Sequence, residues 1–490
     1  MTTTSQLHRY LKVLGLEEKT LQVGEGTYRG IYATRPFRAG EDVFPKGEQQ
    51  QPMASVLCHE ERQERCGECL RLGNDSLQRC GGCRQVWYCG VGCQRRAWKE
   101  HHGVMCRGPL AELEMSGPSK TEGELVRRTM LALERPDDSR REWPGLEKEA
   151  FLRLDTHWEA QGSQERTEAR ALARWIMATR ALGSSSTMGT TGSSEEEEEI
   201  MGHVFRLRSS AFAPADLQCF PYAAMSSYPA RGALLNHSCR PTSVALWDGG
   251  NGQVVRVMED MEVGEEMTLS YVDPCLNGPD RRKALGLQYH FTCECSRCLE
   301  EKEGETGVNG NGALTKKGIQ EMSEMISKDD DLLNGLYMVW SREHFEDWRR
   351  ETVQRVCRIS RGEGSEVLFL VSRWVPGWTR EFERALDDSE WEVALTYALL
   401  LLLIYLLIYP RRHPIVLLQW LTVCKCATQM ARGMGREYDR GKILSLALRS
   451  LHLVQSSLPI SLCEADPEVR ELRRQVQGLA EDLDDLSTGS

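Results

Sequence analysis

The spacing of apolar residues changes several times along the chain. Between residues 22 and 44, short apolar runs are punctuated by Gly24, Gly26, Gly30 and Gly40. That pattern predicts short strands joined by tight turns. From 107 to 182 the sequence is charged and takes helical spacing, most clearly over 171–182. Residues 183–199 are Gly, Ser and Thr followed by five glutamates. Such a composition can bury no core, so a disordered loop is expected there. Strand-like sequence resumes at Val204 and runs to Tyr271. A polar linker covers 306–317, and from Gly318 to near Glu481 the spacing is helical. Stretches at 391–409, 415–430 and 439–455 suggest paired helices without a strict period. Residues 393–409 are almost wholly apolar, 17 residues in all, which is the lower limit of a membrane span. Pro410 and Pro414 end the run and another helical stretch follows at once, so a buried helix of a helical array is expected instead.

A chain of 490 residues with 40% hydrophobic content exceeds one core and divides into several domains. The net charge of −11 argues against a broad nucleic-acid surface. Direct nucleic-acid binding and integral membrane association are not expected. No apolar leader opens the sequence, so none of its 18 cysteines is expected in a secreted disulfide framework.

Seven cysteines and a histidine pair fall in the 41 residues from Cys66 to Cys106. Cys66/Cys69 and Cys80/Cys83 are Cys-x2-Cys turns, each able to give two sulfurs to one zinc ion. Cys89 and Cys93 follow, then His101, His102 and Cys106. His102 and Cys106 lie four residues apart and would share a helix face, whereas His101 sits off that face. So small and glycine-rich a segment needs metal to fold, and a structural zinc supplies on the order of 10 kcal/mol. The ligand order, with Trp87-Tyr88-Cys89 and Cys93-Gln94-Arg95-Arg96-Ala97-Trp98, resembles the MYND zinc module. The resemblance implies interleaved sites: Cys66, Cys69, Cys89 and Cys93 on one ion, and Cys80, Cys83, His102 and Cys106 on the other.

A second constellation lies further on. It comprises Leu234-Leu235-Asn236-His237-Ser238-Cys239-Arg240-Pro241, then Gly264-Glu265-Glu266-Met267-Thr268-Leu269-Ser270-Tyr271, then Gln288-Tyr289-His290-Phe291-Thr292-Cys293-Glu294-Cys295-Ser296-Arg297-Cys298. Behind Arg29-Gly30 and Ala39-Gly40-Glu41, this order resembles the SET fold of protein lysine methyltransferases. With the zinc module between its halves, the whole is similar to the SMYD family of SET and MYND proteins. The resemblance implies an α+β fold: a β-rich SET domain (22–60 and 204–274) split by the MYND module (66–106) and a helical insert (107–203). A post-SET segment (275–298), a linker (299–317) and an all-α, TPR-like C-terminal domain (318–490) would follow.

That resemblance also implies a chemistry. The cofactor would be S-adenosyl-L-methionine, the substrate a protein lysine side chain, histone or non-histone. Tyr271 and Tyr289 would be catalytic, Tyr271 beside the amine and Tyr289 lining the lysine channel. Thr27, Tyr28, Arg29, Ser210, Asn236, His237, Tyr271 and Phe291 would hold the cofactor, with Phe291 on its adenine. Tyr28 stands where many members have glycine, and Ser210 where asparagine is usual. Cys293, Cys295 and Cys298 supply three sulfurs where a closed zinc site needs four. The resemblance names Cys239 as the fourth, giving three Zn²⁺ in all. Proline-rich peptides are implied partners of the MYND module, a monomer is expected, and the location is cytoplasmic or nuclear. A competing reading is a zinc-built interaction adaptor with a weak or inactive SET fold.

Overall fold

The structure is a computed structural model that describes residues 5–23, 26–44, 51–73, 76–106, 118–137, 143, 145–183, 193–217, 221, 223–304, 316–328, 342–360, 366–433 and 438–488. Among the described residues the strands lie before residue 270, and helices predominate from Gly278 onward. β1 (Leu16–Val23) and β2 (Gly26–Ala33) form an antiparallel hairpin. β3 (Ala54–Leu57) pairs antiparallel with β6 (Ala224–Ser227). Everything from 58 to 223 therefore emerges between two neighbouring strands. β4 (Gln78–Arg79) and β5 (Trp87–Tyr88) form a small hairpin inside the cysteine-rich module. β7 (Asn236–His237) runs parallel to β10 (Thr268–Leu269), while β8 (Ser243–Trp247) and β9 (Gln253–Val257) form a further hairpin. Isolated bridges Tyr32–Glu266, Phe37–Met261 and Asp42–Arg256 join these pieces. Strand alternation points Ile31, Val255, Val257, Met267 and Leu269 into one buried apolar cluster.

The emergent segment has its own core, built by the helices Pro118–Glu134, Ser163–Gly183 and Ser194–Ser210 against β3. The expected disordered loop over 183–199 is corrected in its acidic half. Ser193 caps a helix there, its hydroxyl accepting from the Glu196 N–H at 3.1 Å. Glu195, Glu196 and Glu197 occupy the first turn, where the helix dipole favours negative charge. Glu197 pairs with Arg170 at 2.9 Å and Arg174 at 2.7 Å, and Glu196 with Arg180 at 3.0 Å. Residues 184–192 lie outside the described ones. Three other boundaries also move. Strand does not resume at Val204, which lies in that helix. The first hairpin begins at Leu16 rather than 22. Residues 299–304, expected in the linker, belong to the helix Ser296–Gly304.

In the C-terminal region, Trp391–Ile408 and Arg440–Ser461 are apolar and long enough to cross a membrane. Here Ala398 to Ile404 are all buried, packed in one cluster with the helices Glu366–Asp387, Pro414–Gly433 and Tyr438–Ser461. A helix apolar on every side suits such a central position. This array docks on the strands through buried charge. Arg411 pairs with Glu259 at 2.9 Å, and Arg256 bonds Asp42 at 2.6 Å and the Pro459 carbonyl at 3.2 Å.

His413 sits at that docking turn, its ring stacked on Tyr409 and its Nδ1 accepting from the Ile415 N–H. Burial pushes its pKa down to about 3. Between pH 6.5 and about 3 the unfolded chain binds a proton that the folded chain refuses, so stability is lost as pH falls through that window. Hydrogen exchange in 391–433 should therefore show falling protection between pH 7 and pH 5. The loss should be smaller in His413→Phe, which keeps the stacked ring.

Candidate functional site: three sulfur clusters and an aromatic cluster

The cysteine-rich module folds around its ligands. Among the described residues, two tetrads form in it: Cys66, Cys69, Cys89 and Cys93, and Cys80, Cys83, His102 and Cys106. Within each, the ligand atoms lie within 4.8 Å of one another. The helix Val91–Ala97 widens into a π-type turn over Trp98–His102. That turn brings His102 to Cys80, Nε2 to Sγ at 3.3 Å. His101 faces elsewhere and meets Glu68 at 3.2 Å. Gly82 is required by this packing, since a Cβ there would lie 2.9 Å from the Cys106 sulfur. The module is fixed to the helical insert by Glu124, which bonds Arg62 at 2.6 Å and Arg128 at 2.7 Å. Burial would raise the Glu124 pKa, but the two guanidinium groups hold it at about 2.

A third tetrad, Cys239, Cys293, Cys295 and Cys298, gathers sulfurs from two distant segments. Its thiols contend for protons: shared hydrogen bonds, first with Cys239, push Cys295 down and Cys293 up. A divalent cation resolves that conflict by taking four thiolates. Donor sets of four sulfurs, or of three sulfurs and one imidazole, in tetrahedral reach suit Zn²⁺. Among the described residues no disulfide forms.

Beside the third tetrad lies an aromatic cluster. The parallel pairing of Thr268 with Asn236 and Leu269 with His237 sets the two motifs side by side. Tyr271 follows that strand, and its N–H donates to His237 Nδ1 at 2.9 Å. Burial lowers the His237 pKa to about 4, so the ring is neutral. With Nδ1 accepting, the ring proton sits on Nε2, which is 3.3 Å from the Cys239 sulfur. The Tyr271 hydroxyl donates to the Leu235 carbonyl at 2.5 Å. Its ring lies 4.8 Å from Tyr289 and 6.5 Å from Phe291, the latter edge-on. Burial raises the Tyr271 pKa well above the ordinary value and that of Tyr289 to about 12.

The first hairpin closes the polar side. The Asn236 amide donates to the Arg29 carbonyl and, at 2.9 Å, to Glu266 Oε1. Tyr28 donates to the same oxygen at 2.5 Å. A Cβ on Gly30 would collide with that carboxylate. Tyr28, Asn236, His237, Tyr271, Tyr289 and Phe291 thus come together. The Arg29 side chain does not join them: it bonds the Arg153 carbonyl at 2.9 Å, and only its backbone carbonyl meets Asn236. Thr27 is exposed on the strand. Ser210 ends its helix with its hydroxyl donating to the Arg206 carbonyl at 2.7 Å. Glu266 was given no role from sequence. Its one signal was alternation, which sets it opposite the buried Met267.

Metal analysis of the purified chain should give three zinc ions per molecule. His101→Ala should keep all three, whereas His102→Ala should lose one to a mild chelator.

The MYND finger family matches residues 64–106. The chain is similar to the histone-lysine N-methyltransferase SMYD3 of Mus musculus, 24% identical over 90% of this chain and 96% of the relative. It is similar to the histone-lysine N-methyltransferase ASHR1 of Arabidopsis thaliana, 24% identical over 80% and 83%. It is also similar to the N-lysine methyltransferase SMYD2-A of Danio rerio, 27% identical over 69% and 71%. With its zinc finger matched and these likenesses spanning 69% to 90% of its length, the chain is similar to SMYD proteins over most of its sequence.

Proposed function

We propose that this chain is a protein-lysine N-methyltransferase using S-adenosyl-L-methionine. In this reading the strand pairs form a SET domain split by the MYND module and helical insert, 275–304 is its post-SET cap, and the C-terminal helices form a TPR-like array. The observation that carries it is the packing of Tyr271 and Phe291 against His237, with Tyr289 against Tyr271. The names of the similar proteins describe the same activity.

The residues fit the cofactor. Glu266 and the Arg29 carbonyl offer acceptors for an ammonium group, Asn236 offers an amide, and Phe291 offers an apolar face for a purine. S-adenosyl-L-methionine supplies a methyl group made electrophilic by its sulfonium. The protein's part is to orient the amine and keep water out. A lysine has an ordinary pKa near 10.4 and must lose its proton to react; apolar walls lower that value. Tyr271 commits its proton to Leu235 O, so its oxygen serves as a neutral acceptor for an amine N–H. Tyr289, also protonated at neutral pH, adds a ring wall. Zinc at the three tetrads is structural, the third closing the wall behind Tyr271. Unpaired thiols among the described residues suit the reducing cytoplasm or nucleus. The MYND module would recruit partners, proline-rich peptides among them.

A second reading, a zinc adaptor that takes up no cofactor, has one observation in its favour. Ser210 spends its hydroxyl on its own helix, where the family usually places an amide.

Methyl transfer to lysines of a protein lysate, read by mass spectrometry, tests the proposal. Tyr271→Phe should lower transfer by ~10²-fold, the scale of one positioned acid–base group, with the three zinc ions retained. Equal transfer by the variant, or none by the wild type, overturns it.

A further inference from the structure

Two arginines are buried almost completely beside the third sulfur tetrad, Arg281 at 0% exposure and Arg297 at 1%. They share one carboxylate. Arg281 bonds Glu301 Oε2, and Arg297 bonds Glu301 Oε1 at 2.9 Å. One glutamate cannot neutralise two guanidinium groups, which stay protonated in proteins. Among the described residues, Arg281 also reaches sulfur: its Nε donates to Cys239 Sγ at 3.3 Å. Four thiolates on a divalent ion leave a doubly negative centre, and the excess positive charge lies against it.

The same arginines hold the chain just after Tyr271. Arg281 Nη1 donates to the Leu276 carbonyl, and Arg297 Nη1 to the Pro274 carbonyl at 2.8 Å. On the near side, His237 links Cys239 Sγ to the Tyr271 N–H. Residues 271–276 are thus tied at both ends to groups that also bond Cys239 or its neighbours. The helix Gly278–Tyr289 adds a rigid connection, carrying Arg281 near its start and Tyr289 at its end.

We propose that Arg281 is a positioning residue that couples metal at the Cys239–Cys293–Cys295–Cys298 centre to the placement of the 271–276 segment. The loaded centre orients Arg281, Arg281 holds the Leu276 carbonyl, and Tyr271 is kept against Tyr289. Losing the metal frees the segment. The functional side rests on the reading of Tyr271 as the reacting hydroxyl, but the coupling itself does not.

The test uses the full-length, zinc-loaded chain. Zinc release to a chromogenic chelator and hydrogen exchange in 271–277 are followed in the wild type, Arg281→Met and Arg281→Lys. In Arg281→Met, one zinc of three should leave ~10-fold faster, the scale for removing a group that supports a metal ligand. Exchange in 271–277 should rise in parallel. Arg281→Lys keeps the charge without the fork, so its zinc release should stay near wild type while exchange in 271–277 still rises. A purely packing role would not separate the two readouts in this way. Unchanged zinc release in Arg281→Met overturns the proposal, as does faster release with unchanged exchange. Should Arg281→Met fail to fold, Arg281→Lys decides alone: raised exchange supports the coupling and wild-type exchange overturns it. Neither readout uses methyl transfer, so failure of the methyltransferase reading leaves this result standing, and the reverse.

Discussion

The meeting of Cys239 with Cys293, Cys295 and Cys298 is the contact on which the candidate site depends. Cys239 follows Asn236 and His237 by three and two residues, and the other three sulfurs follow Tyr289 and Phe291 closely. Bringing the sulfurs together therefore brings both motifs together. Tyr271 is caught between them, bonded to His237 through its N–H and packed against the Tyr289 ring at a tilt. Without metal the four sulfurs make only weak thiol hydrogen bonds to one another. With it they form a cross-link between two distant segments.

Much of the remaining architecture supports that cluster from outside. The 58–223 excursion leaves and returns between paired strands, so a large insertion leaves the strand scaffold intact. The helical array is anchored by Arg411–Glu259 and by Arg256, and its Tyr409 hydroxyl bonds Asp273 at 2.8 Å, two residues past Tyr271. Buried ion pairs of this kind add little net stability, yet removing one partner costs about 3–5 kcal/mol. They act as registers for how the domains meet.

The sulfur clusters were legible in the sequence because metal geometry constrains ligand spacing directly. The choice of His102 over His101 followed from a helix face, and the structure turns only His102 toward the sulfurs. The fourth sulfur of the third tetrad was reached through family resemblance alone, since no local spacing links residue 239 to 293. The acidic run misled because composition does not reveal Arg170, Arg174 and Arg180, which neutralise it from a neighbouring helix. Glu266, Arg281 and Glu301 carried no motif. Their importance comes from burial against partners far apart in the chain, which periodicity does not encode.

Cofactor binding tests the central claim most directly, because it separates an enzyme from a zinc-built adaptor before any substrate is known. Calorimetric titration of the zinc-loaded chain with S-adenosyl-L-methionine should show one saturable site, together with a thermal shift. Absence of both heat and shift at millimolar cofactor would contradict the account and leave the adaptor reading in its place.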